Sequence, residues 1–308
     1  MSSKGILDFI KSSPSAYHTV DTVRRRLLSE GFVELLEADK WELSDGGKYF
    51  VIRGGSSIIA FVNVKDAIGY TITASHSDSP SFRVKVREES VGAYVSVSVE
   101  RYGGAILYSW LDRPLSIAGR VIVSTERGAD VRLVNLDSDT LCIPSLAIHM
   151  NRGVNDGFKP NPAKDMIPLL TSGENKGELM KRIAELAECR CEDIISHDLY
   201  LYVRDFGRSV GLNGEYLLAP RLDDLAAVYS SVEAFVSADY KKNIPVLAVF
   251  DNEEVGNETK QGAKSTFLQS VLTRISADAE THYKRLASSF MASVDNAHAK
   301  HPNFPELS

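Results

Sequence analysis

Ile244-Pro-Val-Leu-Ala-Val-Phe250 is an unbroken apolar run, and Asp251-Asn-Glu-Glu254 follows it without a spacer. Such a run, with no polar alternation, reads as a strand buried on both faces of a sheet covered by helices. Glu253 and Glu254 would then stand in the crevice at the strand's end, where unpaired carboxylates are costly. Working outward, the same arrangement recurs. Tyr70-Thr-Ile-Thr-Ala74 leads to His76 and Asp78, and Phe290-Met-Ala-Ser-Val294 leads to Asp295. Asp223-Asp224 stands directly before the helical run from Leu225 to Phe235. Ligands of open α/β sheets bind outside the carboxyl ends of the strands. Polar groups at such ends, from His76 to Asp295 across 219 residues, therefore converge on one pocket. Imidazole with several carboxylates is a donor set suited to a zinc-type divalent ion.

Each candidate also has a plainer reading. A single histidine at a strand end is more often structural, but Asp78, two residues on, is placed to fix the imidazole tautomer or to join a metal shell. One aspartate of the Asp223-Asp224 pair is explained as a helix N-cap. Two adjacent carboxylates at one point call for a cation to offset their repulsion. His18, His197, His282 and His301 have no comparable setting and read as surface or packing residues.

Composition narrows the class. The 308 residues are enough for one large domain or two ordinary ones. Hydrophobic content of 44% and charged content of 25% are those of a soluble globular protein. A net charge of −6 gives no basic footprint, so nucleic acid is not an expected partner. The N-terminal Met1-Ser-Ser-Lys-Gly-Ile-Leu-Asp-Phe-Ile10 lacks the apolar stretch of a signal peptide, and no run approaches a membrane-spanning length. Cys142, Cys189 and Cys191 cannot form a disulfide framework, and Cys189-Arg-Cys191 lacks the spacing of a metal or redox pair. A cytoplasmic protein without membrane partners is expected.

Residues 5–40 read as helical, with a break at Ser13-Pro-Ser15. Strands follow at 48–53, 57–62 and 70–74. Period-two alternation at 91–99, 117–123 and 130–135, without intervening helices, indicates antiparallel sheet. A charged helix at 174–187 and a strand at 198–203 come next. Helix and strand then alternate again: helix 224–236, strand 244–250, helices 261–275 and 279–289, strand 290–294. The expected fold class is α/β, a mainly parallel mixed sheet sandwiched by helices. It would be built from 1–85 and 206–308 and interrupted by a β-rich domain at 86–205.

The motifs then become specific. His76-Ser-Asp78-Ser-Pro80, Pro220-Arg-Leu-Asp-Asp-Leu225, Phe250-Asp-Asn-Glu-Glu-Val-Gly256, Thr259-Lys-Gln-Gly-Ala263, Ser293-Val-Asp-Asn-Ala-His-Ala299 and His301-Pro-Asn303 resemble, in order, those of the M18 metalloaminopeptidases, the aspartyl aminopeptidase family. Tyr102-Gly-Gly, Trp110-Leu-Asp-Arg-Pro-Leu115 and Leu146-Ala-Ile-His149 carry the likeness through the middle of the chain.

The resemblance implies a co-catalytic zinc aminopeptidase with two ions per subunit, releasing acidic or neutral N-terminal residues from peptides. His76 would bind one zinc, Asp223 would bridge the two, Glu254 would bind the metal opposite that of His76, and Asp295 would complete a ligand set. Glu253 would be the general base and Asp78 would orient His76. His149, in a β-rich dimerisation domain, would reach the active site of a neighbouring subunit, in dimers that assemble to a dodecamer. The chemistry suits these roles. Two divalent ions about 3.5–4 Å apart can activate water and stabilise an oxyanion, and a carboxylate has two oxygens with which to span them. The resemblance further implies a stretch beyond Asn303 carrying another histidine ligand, whereas this sequence ends at Ser308; the catalytic domain is expected to be incomplete in it. Two other readings stay open: a different co-catalytic zinc hydrolase, such as a carboxypeptidase or deacylase, and a truncated, non-catalytic relative serving as an assembly scaffold.

Overall fold

The computed structural model describes residues 3–240, 242–276 and 278–307, so Met1, Ser2 and Ser308 of the terminal readings lie outside it. In chain order the elements are α1 (Ser3–Ser12), α2 (Ala16–Ser29), β1 (Val33–Glu34), β2 (Lys48–Arg53), β3 (Ser57–Val62), β4 (Tyr70–His76), β5 (Ser81–Val91), β6 (Tyr94–Tyr102), β7 (Leu115–Thr125) and β8 (Gly128–Asn135). Then follow α3 (Pro162–Asp165), β9 (Leu169–Ser172), α4 (Glu178–Leu186), β10 (Ile194–Val203), β11 (Arg208–Val210), β12 (Tyr216–Leu218), α5 (Leu222–Ser237), β13 (Ile244–Phe250), α6 (Phe267–Ile275), α7 (Ala279–Ala287) and β14 (Phe290–Ser293). They form two compact units: one up to Ser79 and again from Arg221, the other Pro80–Pro220. The second unit is wider at both ends than the expected 86–205, because β5 and the β11–β12 hairpin belong to it.

The first unit is a layered α/β structure. Its sheet runs β1-β2-β3-β13-β4-β14. The pairs β1–β2, β13–β4 and β4–β14 are parallel, while β2–β3 and β3–β13 are antiparallel. The sheet is thus mixed and mainly parallel. Every residue of β13 is buried, as its unbroken apolar run demands. Tyr49, Val51, Ile59, Phe61, Ile72, Val246 and Ala248 share one face with Phe267, Val271 and Leu272 of α6. Strand periodicity turns Phe50, Ala60, Leu247 and Val249 to the other face, where all four are buried. α5 lies along β4 and β13, with α1 and α2 against it.

The second unit is antiparallel β throughout its main sheet, ordered β8-β7-β10-β5-β6-β9. Phe82, Val97, Ile117, Val121 and Leu199 pack with Leu179 and Ile183 of α4 in its core. The alternating stretch 91–99 is not a single strand: Val91 pairs with Tyr94 across Gly92-Ala93. Gly92, at φ 61, takes the left-handed turn of a two-residue hairpin. In the sequence the valines at 91, 95, 97 and 99 keep period two straight across the turn, although the turn sets exposed Val91 on the face opposite buried Val95. The helix expected from 261 begins at Phe267. Among the described residues no helix is long and apolar enough to cross a membrane.

Candidate metal centre

Three strand ends and one helix start meet at one rim of the first unit's sheet. β13 runs parallel to β4 with Phe250 opposite His76, and β14 runs parallel to β4 with Ser293 opposite Ala74. Val294 N donates to Ala74 O at 2.7 Å, continuing that register so that Asp295 comes level with His76. α5 packs on β4 and begins at Leu222, which delivers Asp223 and Asp224 to the same rim. The peptide between these two aspartates is cis.

His76 lies at the centre and is buried. Its Nδ1 is 3.0 Å from the Asp78 carbonyl oxygen and 3.3 Å from Asp78 Oδ1. Both are acceptors, so Nδ1 carries the ring proton, and Nε2 of the neutral imidazole presents a lone pair. Nε2 has no hydrogen-bond partner. It faces Asp223 Oδ1 at 3.3 Å, Asp224 Oδ2 at 3.8 Å, Asp295 Oδ1 at 3.8 Å and Glu253 Oε2 at 3.9 Å. A lone pair ringed by carboxylate oxygens is stable only with positive charge between them, a proton or a cation. Donors about 2.1 Å from one ion at tetrahedral angles lie about 3.4 Å apart, close to these spacings. One donor atom each from His76, Asp223, Asp224 and Asp295 falls within 4.8 Å of the others. The donor set fits a divalent cation.

The electrostatics agree. Burial opposes the charged imidazole, yet Asp78, Asp224 and Asp223 outweigh it and push His76 up to about 9. Burial raises Asp223, with Asp295 and Asp78 repelling it and His76 partly offsetting. Burial likewise pushes Asp224 up to about 7, against the stabilising His76 N–H. Both shifts run toward the neutral acid, and a cation at this point would oppose them.

Asp78 has a second task that the sequence did not disclose. Its Oδ1 accepts the Glu253 N–H and its Oδ2 the Glu254 N–H, each at 3.2 Å. One buried carboxylate therefore sets both the His76 ring and the Glu253-Glu254 turn. Asp223, Asp295 and Glu253 are each about half exposed, at 51%, 57% and 45%, so the centre opens to solvent on their side.

Of the residues anticipated as ligands, His76, Asp223 and Asp295 come together, joined by Asp224. Glu254 is not one of those four; its backbone amide, rather, is tied to Asp78. His149 is exposed in a turn of the second unit, where Met150 N donates to Ala147 O. Asp224 was anticipated only as one of the Asp223-Asp224 pair and was given no ligand role. It is fully buried, its Oδ2 accepts the His76 N–H at 3.0 Å, and its Oδ1 has no partner. The N-cap reading of one of the pair does not hold, since Arg221 occupies the N-cap position and no side chain caps the helix.

Residues 9–308 match the model of the family described as Aminopeptidase I zinc metalloprotease (M18). The chain belongs to this family. Among M18 relatives, it is similar to a probable M18 family aminopeptidase 2 of Clostridium acetobutylicum, 46% identical over 97% of this chain and 73% of the relative. It is also similar to aspartyl aminopeptidase 4 of Saccharomyces cerevisiae, 38% identical over 98% of this chain and 72% of the relative. In structure it resembles Ape4 in an Ape4–Nbr1 complex solved by cryo-EM, with a TM-score of 0.93 and 33% identity. It resembles the S. cerevisiae mApe1 dodecamer as well, with a TM-score of 0.82 and 27% identity. Each superposition covers 99% of this chain, but 65% of the Ape4 chain and 74% of the mApe1 chain. The M18 chain thus spans about two thirds to three quarters of the relatives it matches. It is a member of a family of peptide hydrolases.

Proposed function

We propose that the protein is a metal-dependent aminopeptidase that releases acidic or neutral N-terminal residues from peptides with the aid of two zinc ions per subunit. The observation that carries this reading is His76 Nε2, buried, without a hydrogen-bond partner and facing four carboxylate oxygens. His76, Asp223 and Asp295 would hold metal at that point, with Glu254 serving the second ion. When bound, the ions polarise the scissile carbonyl and lower the pKa of the attacking water. The chain's own residues do the rest. Asp78 keeps the His76 proton on Nδ1 and fixes the turn that carries both glutamates. Asp224 holds the backbone of His76 against the start of α5. Glu253, half exposed beside the centre, takes the proton of the attacking water and returns it to the leaving amine.

The dodecamer seen for mApe1 supports a homo-oligomer built from dimers, in which His149 reaches the active site of a neighbouring subunit. A cytoplasmic location agrees with three cysteines that are all free thiols.

Metal analysis of the purified protein should give up to two divalent ions per chain, with zinc the expected ion, and chelation should abolish hydrolysis of aminoacyl substrates. Glu253→Gln should lower turnover about 10²–10⁴-fold with metals still bound. Turnover that survives chelation sinks the metallopeptidase reading; near wild-type turnover in the metal-loaded variant removes Glu253 as the base.

A further inference from the structure

The segment Thr259-Lys-Gln-Gly262 follows the two glutamates, is not part of α6, and has no role in the chemistry described so far. Two of its side chains, Thr259 and Gln261, reach back to one residue. Asn252, at the corner where β13 gives way to the Glu253–Val255 turn, is buried and left-handed at φ 65, ψ 26. Its Oδ1 accepts the Thr259 hydroxyl at 2.7 Å and Gln261 Nε2 at 3.1 Å. Its carbonyl accepts the Asn257 N–H at 2.8 Å, and its own N–H donates to Asp251 Oδ1 at 2.7 Å. Thr259 Oγ1 in turn accepts the Gly262 N–H at 3.0 Å. Gly262 packs so closely that a Cβ there would lie 2.3 Å from the Asn257 carbonyl oxygen. The Ser57 hydroxyl donates to Gln261 O at 2.8 Å, anchoring the far side of the loop to β3. The loop is thus cross-tied from within, and Glu253 and Glu254 stand on its near arm, their amides held by Asp78.

We propose that Asn252, with Thr259 and Gln261 as its two side-chain donors, is the positioning residue that holds Glu253 at the catalytic rim; this rests on the general-base role given to Glu253. The brace acts on the backbone beneath the glutamate and touches no substrate. A general base works only within hydrogen-bond reach of its proton, and a displacement of about 1 Å can cost about 10²-fold in rate. Asn suits the corner because it tolerates the left-handed region and still offers a side-chain acceptor.

The test compares Thr259→Val, which removes the hydroxyl at nearly constant shape, with Thr259→Ser, which keeps it. Asn252→Gly retains the left-handed backbone without the acceptor. We expect Thr259→Val and Asn252→Gly to lower kcat about 10- to 100-fold with KM, metal content and melting temperature near wild type, and Thr259→Ser to stay within about threefold. The double variant Thr259→Val/Glu253→Gln should be about as slow as Glu253→Gln alone, because a brace acting through Glu253 has nothing left to position. In metal-free protein, amide exchange across 252–262 should accelerate in Thr259→Val and remain unchanged elsewhere, a readout that survives even if that variant is inactive. Wild-type exchange there, kcat within twofold of wild type, or additive losses in the double variant would each overturn the proposal. If Glu253→Gln is slow while Thr259→Val is not, the brace alone is wrong. If Glu253→Gln is itself fast, the general-base reading falls and the brace with it.

Discussion

At the scale of single residues, a histidine's neighbours decide whether it serves as a ligand or as packing. His76 has acceptors around both ring nitrogens, a carbonyl and a carboxylate at Nδ1 and four carboxylates around Nε2, so Nε2 calls for positive charge, a proton or a bound cation. His18 is the contrast. Its Nδ1 lies 2.8 Å from the Ser15 hydroxyl, and burial, with Arg25 adding and Asp21 opposing, lowers it to about 4. The folded state holds this imidazole neutral, whereas the unfolded chain protonates it near its ordinary value of 6.5. The resulting stability is complete above about pH 6.5 and is lost as pH falls towards about 4, by at most about 3 kcal/mol. His18→Gln should therefore flatten the loss of stability between pH 7 and pH 4.5 in urea unfolding; an unchanged slope would assign that acid sensitivity to other groups. The places of Asp78, Glu253 and Glu254 after apolar runs marked them as candidates, and Asp78 does bond the His76 ring and the amides of both glutamates. The Asp223-Asp224 pair was visible too, but not the bond from the His76 N–H to the Asp224 carboxylate, which joins residues 148 apart in sequence.

Among the elements, strands with full apolar runs were read correctly and those interrupted by turns were not. β13 is buried at every position and forms the centre of its sheet, as its composition required. The β5–β6 hairpin was hidden because the apolar spacing in the sequence runs on across Gly92-Ala93, whereas the turn puts Val91 and Val95 on opposite faces. The start of α6 was misplaced because Gln261 and Gly262 are used in the loop before it, through contacts to Asn252 and Thr259. In the second unit, Gly119 of β7 pairs with Leu199 of β10. A Cβ there would lie 2.0 Å from Asp198 O and 3.0 Å from Leu199 Cα. Both obstacles are backbone and cannot rotate away. Gly119→Ala should destabilise the protein by about 1–3 kcal/mol, seen in calorimetry as a lowered transition. Gly104→Ala, with open space around its Cβ position, should leave that transition in place. Equal behaviour of the two variants would show that the strands can part at Gly119 without cost.

For the whole molecule, the proposed assembly yields a prediction about His149. An exposed imidazole supplied by a neighbouring subunit can donate a hydrogen bond to the developing oxyanion of any peptide substrate. His149→Ala should then lower turnover on aspartyl and leucyl substrates in the same proportion, while light scattering still reports an oligomer at micromolar concentration. A tenfold change in the ratio between the two substrates, with turnover on one unaffected, would make His149 a specificity residue instead.

The sequence by itself determined the layered α/β sheet, the β-rich second unit and the family, because apolar periodicity and motif order are local properties of the chain. It also marked the candidate site at strand ends, since a carboxylate directly after a buried strand has few places to go. Only the tertiary structure decided which oxygen faces which nitrogen. Parallel registry of β4, β13 and β14 brings His76, Phe250 and the approach to Asp295 to one level. That registry is set by hydrogen bonds between segments nearly two hundred residues apart, which no local pattern encodes. The same holds for Asp78, whose carboxylate joins the His76 ring to the amides of Glu253 and Glu254 only once β4 and β13 lie side by side.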